Sequence, residues 1–167
     1  MPIVIRGGGI IMIMKQIISG GQTGVDRAAL DFARNASIPC GGWCPPGRLA
    51  EDGPIPIEYP LQEMPTGGYR ERTWQNAKDS DGTLIIYKGQ ITGGTAETVT
   101  AANANRKPVL KINADATTPE DAAIAIQAFL QNHNIHQLNI AGPRASQWKD
   151  GYAYTQALLT NVFARNT

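Results

Sequence analysis

Two glycine-rich segments each stand directly before a predicted helix, where backbone N–H groups can bind a phosphate. The first is Gly20-Gly21-Gln22-Thr23-Gly24, and the second is Gly93-Gly94-Thr95. Glycine lets a backbone approach an anion closely, and the N-terminus of a helix carries partial positive charge. The first segment is neither a G-x-G-x-x-G motif nor a P-loop, because Val25 follows it and no lysine stands there to reach a β- or γ-phosphate. Together the two segments predict one elongated phosphate-bearing ligand and argue against triphosphate hydrolysis.

Four arginines are candidates for binding the same phosphate. Arg144 follows the last predicted strand, Arg48 lies in a long loop and Arg72 lies at the end of that loop. A guanidinium group can bind a phosphate through paired N–H donors, but each of these three arginines could equally be a solvated surface residue. Arg27 stands in the first helical turn, where a cation opposes the helix dipole unless it meets an acid or a bound anion. A salt bridge therefore explains Arg27 as well as a ligand does. Its neighbour Asp26 is expected to complement the dipole, or else to bond a ligand hydroxyl.

No residue pattern in the sequence predicts a metal site or a catalytic group. Cys40 and Cys44 have no histidine near them in sequence, and His133 and His136 are not accompanied by carboxylates or thiols. The order of residues fits neither a Ser-His-Asp triad nor a nucleophile elbow. We therefore expect no catalytic residue and no metal ligand.

The elements that must position these groups alternate between strand and helix. Apolar patterns predict strands over 10–19, 38–43, 83–87, 108–112 and 138–141, and helices from 25 onward, over 73–78, over 96–105, from an N-cap at Thr118, and around 154–162. This alternation predicts an α/β, Rossmann-like fold with an open, mostly parallel sheet and helices on both faces. Ligands of such sheets bind beyond the carboxyl ends of the strands, where both glycine segments stand.

The stretch from residue 41 to residue 72 is rich in proline and glycine and interrupts this alternation. Loops of this length in compact domains are usually functional or disordered. Because it carries Arg48 and ends at Arg72, we expect it to be a lid or a wall of the site.

Composition limits the partners that the chain can have. Lys and Arg total 15 against 14 acidic residues, a formal net charge of +1, so no long-range field attracts nucleic acid. The apolar run at 10–14 is far shorter than the roughly 20 residues that span a membrane. We expect residues 1–9 to be a flexible lead without the features of a signal peptide, and residues 10–167 to form one soluble, cytoplasmic ligand-binding domain.

Several ordered motifs resemble one known family over Lys15 to about Leu159. They are SGGQTGVDRAALDFA (19–33), GGWCPPGRLAEDG (41–53), YPL (59–61), YRERTWQNAKDSDGTLI (69–85), GGT (93–95), KP (107–108) and LNIAGPR (138–144). On these residues the chain is similar to the YpsA-like family of molybdenum cofactor carriers, within the wider group related to cytokinin-activating "lonely guy" proteins, the SLOG superfamily.

This resemblance implies a Rossmann-like homo-oligomer, commonly a tetramer, that binds the molybdenum cofactor and holds the molybdopterin phosphate around the GGQTG loop. Molybdoenzymes are the implied acceptors. A backbone site without catalytic groups suits storage or transfer better than turnover. The predicted cofactor-binding residues are Gly20, Gly21, Gln22, Thr23, Gly24, Arg27, Arg48, Arg72, Gly93, Gly94, Thr95 and Arg144.

Two other functions stay open. Relatives in the wider group hydrolyse the N-glycosidic bond of nucleoside monophosphates and carry a GGxGTxxE motif with a catalytic Glu, whereas here Glu97 lies one position too early and Thr98 stands in its place. A shift of one residue turns a helical side chain by about 100°. An enzyme would therefore have to use Glu97 or Asp81 as its acid or base. A nucleotide-sensing module without chemistry is the other alternative.

Overall fold

The computed structural model describes residues 3–7 and 10–164, which form eleven strands, five α-helices and one short 3-10 helix (Pro46–Arg48). The strands are β1 (Ile3–Gly7), β2 (Ile10–Met14), β3 (Gln16–Ile18), β4 (Cys40–Gly41), β5 (Trp43–Cys44), β6 (Leu49–Ala50), β7 (Gly53–Pro54), β8 (Gln62–Glu63), β9 (Gly82–Tyr87), β10 (Val109–Asn113) and β11 (Gln137–Ala141). The helices are α1 (Val25–Asn35), α2 (Tyr69–Asp79), α3 (Gly93–Ala104), α4 (Pro119–Asn132) and α5 (Gly151–Val162).

Five parallel strands form the central sheet in the order β10-β9-β11-β3-β4. Alternate residues of a strand point to opposite faces. Leu84 and Ile86 of β9 belong to the core shared with α1, α4 and α5, so Thr83 and Ile85 face the other side, where α2 and α3 pack together. The predicted fold, an α/β open parallel sheet with helices on both faces, is confirmed.

The predicted apolar face of α1 is also confirmed. Val25, Ala28, Ala29 and Ala33 are fully buried, and Phe32 is nearly so. At the start of α4, the hydroxyl of Thr118 accepts a hydrogen bond from the backbone N–H of Asp121 at 3.2 Å, as expected of an N-cap. Among the described helices none is long and apolar enough to cross a membrane.

The single strand predicted over 10–19 is wrong, because the structure divides it into β2 and β3. β2 pairs antiparallel with β1, whereas β3 joins the central sheet. At the junction the N–H groups of Lys15 and Gln16 both donate to the carbonyl of His136, at 2.9 and 3.1 Å. In the sequence this break is marked only by the polar pair Lys15-Gln16 inside an otherwise apolar run.

The strand predicted over 38–43 is likewise two short strands. Gly42 separates β4 from β5 with a φ of +132°, and a Cβ there would lie 2.4 Å from the carbonyl oxygen of Ser19. Only glycine tolerates this close approach, so the chain bends and β5 pairs with β8 outside the central sheet.

The predicted flexible lead over 1–9 and the domain boundary after it stay predictions. Within this lead the structure describes β1, while residues 1, 2, 8 and 9 lie outside the described residues.

The long loop is an ordered packing unit built around Arg48. Its guanidinium donates to four backbone carbonyls, those of Ile55, Pro56, Tyr59 and Leu61, at 2.8 to 3.1 Å. Ile55, Tyr59 and Leu61 pack in turn with Leu30 of α1 in a second, smaller core. The loop is therefore held by its own hydrogen bonds and core.

Two helices begin earlier than predicted. α2 starts at Tyr69 instead of residue 73, where the side chain of Glu71 accepts a hydrogen bond from the N–H of Gly68 at 2.7 Å. α3 starts at Gly93 instead of residue 96, with Thr92 as its N-cap. The second glycine pair is therefore the first turn of a helix and not a turn before it.

Candidate functional site

A cavity of about 410 Å³ opens at the carboxyl end of β11, between α1, α2 and α3. Its lining comes from four parts of the fold. The α1 side contributes Gly20, Gln22 and Asp26, and α2 contributes Tyr69, Arg70, Arg72, Thr73 and Asn76. Helix α3 contributes Gly93, Gly94, Thr95, Glu97 and Thr98, and β11 with the segment after it contributes Asn139, Ala141, Gly142, Arg144 and Gln147. Seven of these were predicted from the sequence: Gly20, Gln22, Arg72, Gly93, Gly94, Thr95 and Arg144.

The N-terminus of α3 presents open backbone to this cavity. A Cβ added to Gly93 or to Gly94 would have no heavy atom within 4 Å. The side chain of Thr92 makes no capping hydrogen bond, so the N–H groups of the first turn are not satisfied by a side-chain cap. Exposed N–H groups at the positive end of a helix form an anion-binding site.

The glycines of the GGQTG loop, in contrast, are packed against the protein itself. A Cβ on Gly20 would lie 2.1 Å from Nη1 of Arg72, and one on Gly21 would lie 2.5 Å from Leu61. A Cβ on Gly24 would lie 2.7 Å from the carbonyl oxygen of Pro143. These glycines are required because other segments approach so closely, and only Gly20 of the three lines the cavity.

Arg72 is the cation that the fold holds most firmly at the site. It is only 8% exposed, and its guanidinium donates to the carbonyl of Gly20 at 2.7 Å and to the hydroxyl of Thr73 at 3.2 Å. The guanidinium also lies over the ring of Tyr69, 5.3 Å from its centroid. These contacts fix Arg72 against the cavity wall.

Arg144 and Arg70 line the cavity from more exposed positions. Their side chains are 43% and 66% exposed. The Nε of Arg144 lies 3.6 Å from the carboxylate of Glu51, and the Nε of Arg70 lies 2.9 Å from that of Glu97. Both arginines can therefore turn toward an anion by exchanging a surface ion pair for it.

Arg27 and Arg48 are placed elsewhere. Arg27 forms an ion pair with Asp52 at 3.0 Å and donates to the carbonyl of Gly21 at 3.0 Å, so the salt bridge considered in the sequence analysis is present. Arg48 organises the long loop. Neither residue lines the cavity, and the same holds for Gly21, Thr23 and Gly24.

Thr23 belongs instead to a network around Glu51 that joins three distant segments. The hydroxyl of Thr23 donates to the carboxylate of Glu51 and accepts from the N–H of Ala145 at 3.1 Å. Ser146 donates to the same carboxylate through its hydroxyl at 2.6 Å and its N–H at 3.1 Å. The hydrogen bonds from Ser146 and then Thr23 lower the pKa of Glu51. This Glu51 network fastens the loop after β11 beside the cavity.

Asp26 is a buried acid in the cavity wall. It is 6% exposed, and its Oδ1 has no hydrogen-bond partner within the part of the chain that the structure describes. Burial raises the pKa of Asp26 to about 6, and the opposing effects of Arg72, of the N–H groups of Gln22 and Gly142, and of Arg27 do not cancel it. The described residues contain no group of three or more His, Cys, Asp or Glu placed to hold a metal ion.

This cavity lies within the stretch that matches a known family. Residues 17–163 match the model of the circularly permutated YpsA SLOG family. The chain belongs to this family.

Among solved structures, the chain is similar to a crystal structure named "Putative molybdenum carrier protein" from Syntrophus aciditrophicus SB. The two sequences are 52% identical, the match covers 90% of this chain and 96% of that chain, and the TM-score is 0.89. No curated protein matches the chain. The family resemblance seen in the sequence is confirmed.

Within this SLOG fold, the two acids considered for glycosidase chemistry occupy different places. Glu97 lines the cavity, but its Oε1 accepts a hydrogen bond from the indole N–H of Trp74 at 2.5 Å and pairs with Arg70. Asp81 lies at the opposite end of the sheet, where its Oδ2 accepts from the N–H groups of His136 and Gln137 at 2.9 and 2.8 Å. Of the two, only Glu97 could meet a ligand.

Several residues that line the cavity in this family member were not predicted from the sequence as binding residues: Tyr69, Arg70, Thr73, Asn76, Asn139, Ala141, Gly142 and Gln147. Tyr69 and Arg70 precede the predicted start of the helix at residue 73, whereas Thr73 and Asn76 lie inside the predicted helix and had no signal that marked them as site residues. One signal was present in the sequence: Asn139 is a polar residue inside the apolar run of the last strand, and it is 2% exposed. A polar side chain at such a position needs a partner, which makes it a candidate for a site.

Proposed function

We propose that this chain binds and carries the molybdenum cofactor, or its metal-free form molybdopterin, with the ligand's phosphate at the N-terminus of α3. The observation that carries the proposal is the open first turn of that helix, where Gly93 and Gly94 leave free space above the backbone. Support comes from the solved relative at 52% identity, whose name is that of a molybdenum carrier.

The charges around the cavity favour an anionic ligand. Arg70, Arg72 and Arg144 line it, against the two acids Asp26 and Glu97. This local excess of positive charge stands in a chain whose formal net charge is only +1. Planar guanidinium groups are suited to phosphate, because they offer paired N–H donors. The cavity therefore offers an anion both the backbone N–H groups of α3 and three guanidinium groups.

The size of the cavity fits a small organic ligand. Its volume of about 410 Å³ falls in the range of about 300–1,000 Å³ that small-molecule sites occupy. Its lining contains polar groups on several elements, which suits a ligand with a polar ring as well as a phosphate. A single phosphate ion would fill only a small part of it.

The contacts of Glu97 favour a carrier over a glycosidase. This cavity acid is held by Trp74 and Arg70. We further propose that the carrier is a cytoplasmic homo-oligomer, for which a tetramer is our working model, and that it delivers the cofactor to molybdoenzymes.

The first test compares ligands by thermal shift on the purified apo protein under anaerobic conditions. The panel contains molybdenum cofactor, molybdopterin, AMP, other nucleoside monophosphates, molybdate and inorganic phosphate. A ligand at 100 times its Kd should stabilise the folded chain by about 2.7 kcal/mol. Stabilisation by nucleotides but not by the pterins, together with release of free base, would indicate a glycosidase instead of a carrier. The same stabilisation without release of base would indicate nucleotide sensing.

A variant of Gly94 tests the position of the phosphate. Gly94→Val places a branched side chain in the free space above the first turn of α3, where no heavy atom lies within 4 Å of the new Cβ. The fold should therefore tolerate it, while molybdopterin affinity should fall at least about tenfold, or about 1.4 kcal/mol.

Ala104→Val is the matched control, since Ala104 is an exposed residue at the other end of the same helix. Its affinity should stay at the wild-type value. If Gly94→Val and wild type bind molybdopterin with equal affinity, the phosphate does not bind at this position.

A further inference from the structure

Asp26 is a buried carboxylate whose chemistry the phosphate site does not use. It lies in the first turn of α1 and lines the same cavity as the N-terminus of α3. Its Oδ1 is buried and has no hydrogen-bond partner among the residues that the structure describes. Buried polar atoms are nearly always paired, and each exception calls for an explanation.

The neighbouring cations do not satisfy this oxygen. The guanidinium of Arg72 donates to the carbonyl of Gly20 and the hydroxyl of Thr73. That of Arg27 donates to Gly21 and to Asp52. Arg72, the backbone N–H groups of Gln22 and Gly142, and Arg27 all lower the pKa of Asp26, yet burial still holds it at about 6. At neutral pH the group is therefore mostly an ionised carboxylate, which can only accept hydrogen bonds.

An oxygen of this kind is suited to recognising a neutral N–H donor. A phosphate beside this carboxylate would be repelled, so the phosphate of the ligand is expected at the open N-terminus of α3. A pterin carries ring and amino N–H groups at the end remote from its phosphate. One N–H placed against the free oxygen would supply the missing partner, and a charge-assisted hydrogen bond of this type is stronger than a neutral one.

We propose that Asp26 selects the ring of the ligand, its free carboxylate oxygen accepting a hydrogen bond from an N–H group of the pterin while the phosphate lies at the N-terminus of α3. This inference rests on the proposed function. It makes Asp26 a specificity-determining residue, and it divides the cavity into a phosphate end and a ring end.

The test measures Kd for two probes, molybdopterin under anaerobic conditions and inorganic phosphate. The variant is Asp26→Asn, which keeps the shape of the side chain but removes its charge and one acceptor oxygen. The matched control is Asp52→Asn, the same substitution in the other carboxylate that lies near Arg27, outside the cavity lining. Isothermal titration follows binding, and circular dichroism confirms that each variant is folded.

We expect Asp26→Asn to weaken molybdopterin binding at least about tenfold, in line with the loss of one hydrogen bond to a charged group. Phosphate binding should stay within about twofold of wild type, because its site lies at α3, and Asp52→Asn should change neither value. These three results together support the inference.

The outcomes separate this inference from the function on which it rests. If molybdopterin binds the wild type and Asp26→Asn equally well, Asp26 does not recognise the ring, but the carrier proposal stands. An equal loss of molybdopterin and phosphate affinity in Asp26→Asn would also overturn the inference, since it would mean a general effect on the site. No binding of molybdopterin to the wild type would overturn the proposed function and this inference with it.

Discussion

Asp26→Asn should make the folded protein more stable at neutral pH, although it alters the proposed ligand site. Burial raises the pKa of Asp26 from 3.8 to about 6, so the folded chain holds the proton more tightly than the unfolded chain does. Below about pH 4 both states are protonated and the group has no effect on stability. As the pH rises from about 4 to about 6, the unfolded chain ionises first, and the free energy of unfolding falls.

The size of this effect follows from the pKa values. A rise from 3.8 to about 6 corresponds to about 3 kcal/mol, at about 1.36 kcal/mol for each tenfold change in proton affinity. Asparagine is neutral at every pH, and its amide oxygen can still accept an N–H from Gln22 or Gly142. We therefore expect Asp26→Asn to gain up to about 3 kcal/mol at pH 7, about 6–12 °C in Tm for a domain of this size, and nothing near pH 4.

Urea unfolding followed by tryptophan fluorescence from pH 4 to pH 7.5 would measure this difference. Asp52→Asn is again the control, because the hydrogen bond from Arg27 lowers the pKa of Asp52. That variant should lose a little stability at pH 7 and none at low pH, the opposite direction. A loss of stability in Asp26→Asn at pH 7, or a difference from wild type that does not change with pH, would refute the reasoning that the burial of Asp26 outweighs its favourable contacts.

Two further predictions concern the segments around the site. Arg48→Ala leaves the carbonyls of Ile55, Pro56, Tyr59 and Leu61 without their donor, so it should lower the free energy of unfolding by more than about 2 kcal/mol; equal urea midpoints of variant and wild type would contradict this. Glu51→Gln weakens the Glu51 network. Because the pKa of Glu51 is lowered in the folded chain, the variant should be less stable than wild type at pH 7, and this difference should disappear as the pH falls below the ordinary pKa of glutamate. A pH-independent difference in urea midpoint would show that the charge of Glu51 does not matter.

The sequence was sufficient to predict the elements whose patterns are local. The helical face of Val25 to Ala33 and the N-cap at Thr118 depend only on residues within a few turns, and both are present. The second glycine segment, Gly93 to Thr95, lines the cavity, and its position after a strand is visible in the chain order. It forms the first turn of α3 instead of preceding the helix, and its role in binding stays a prediction.

What the sequence did not show depends on contacts between distant segments. The glycines at 20, 21 and 24 have the same appearance as those at 93 and 94, yet the first set lies under Arg72, Leu61 and Pro143. Which arginine faces inward is decided in the same way, since Arg48 meets carbonyls seven to thirteen residues away while Arg72 reaches across 52 residues to Gly20. The spacing of residues along the chain does not predict either kind of contact.

The position of β11 in the central sheet has a consequence for how the chain folds. β11 is the last strand that the structure describes along the chain, but it lies in the middle of the sheet, between β9 and β3. On the ribosome, β3 and β9 therefore each lack their neighbour on the β11 side until residue 141 has been made and released. Sheets assembled from such distant strands fold slowly, and the nascent chain exposes two unpaired strand edges in the meantime, which are sites of aggregation.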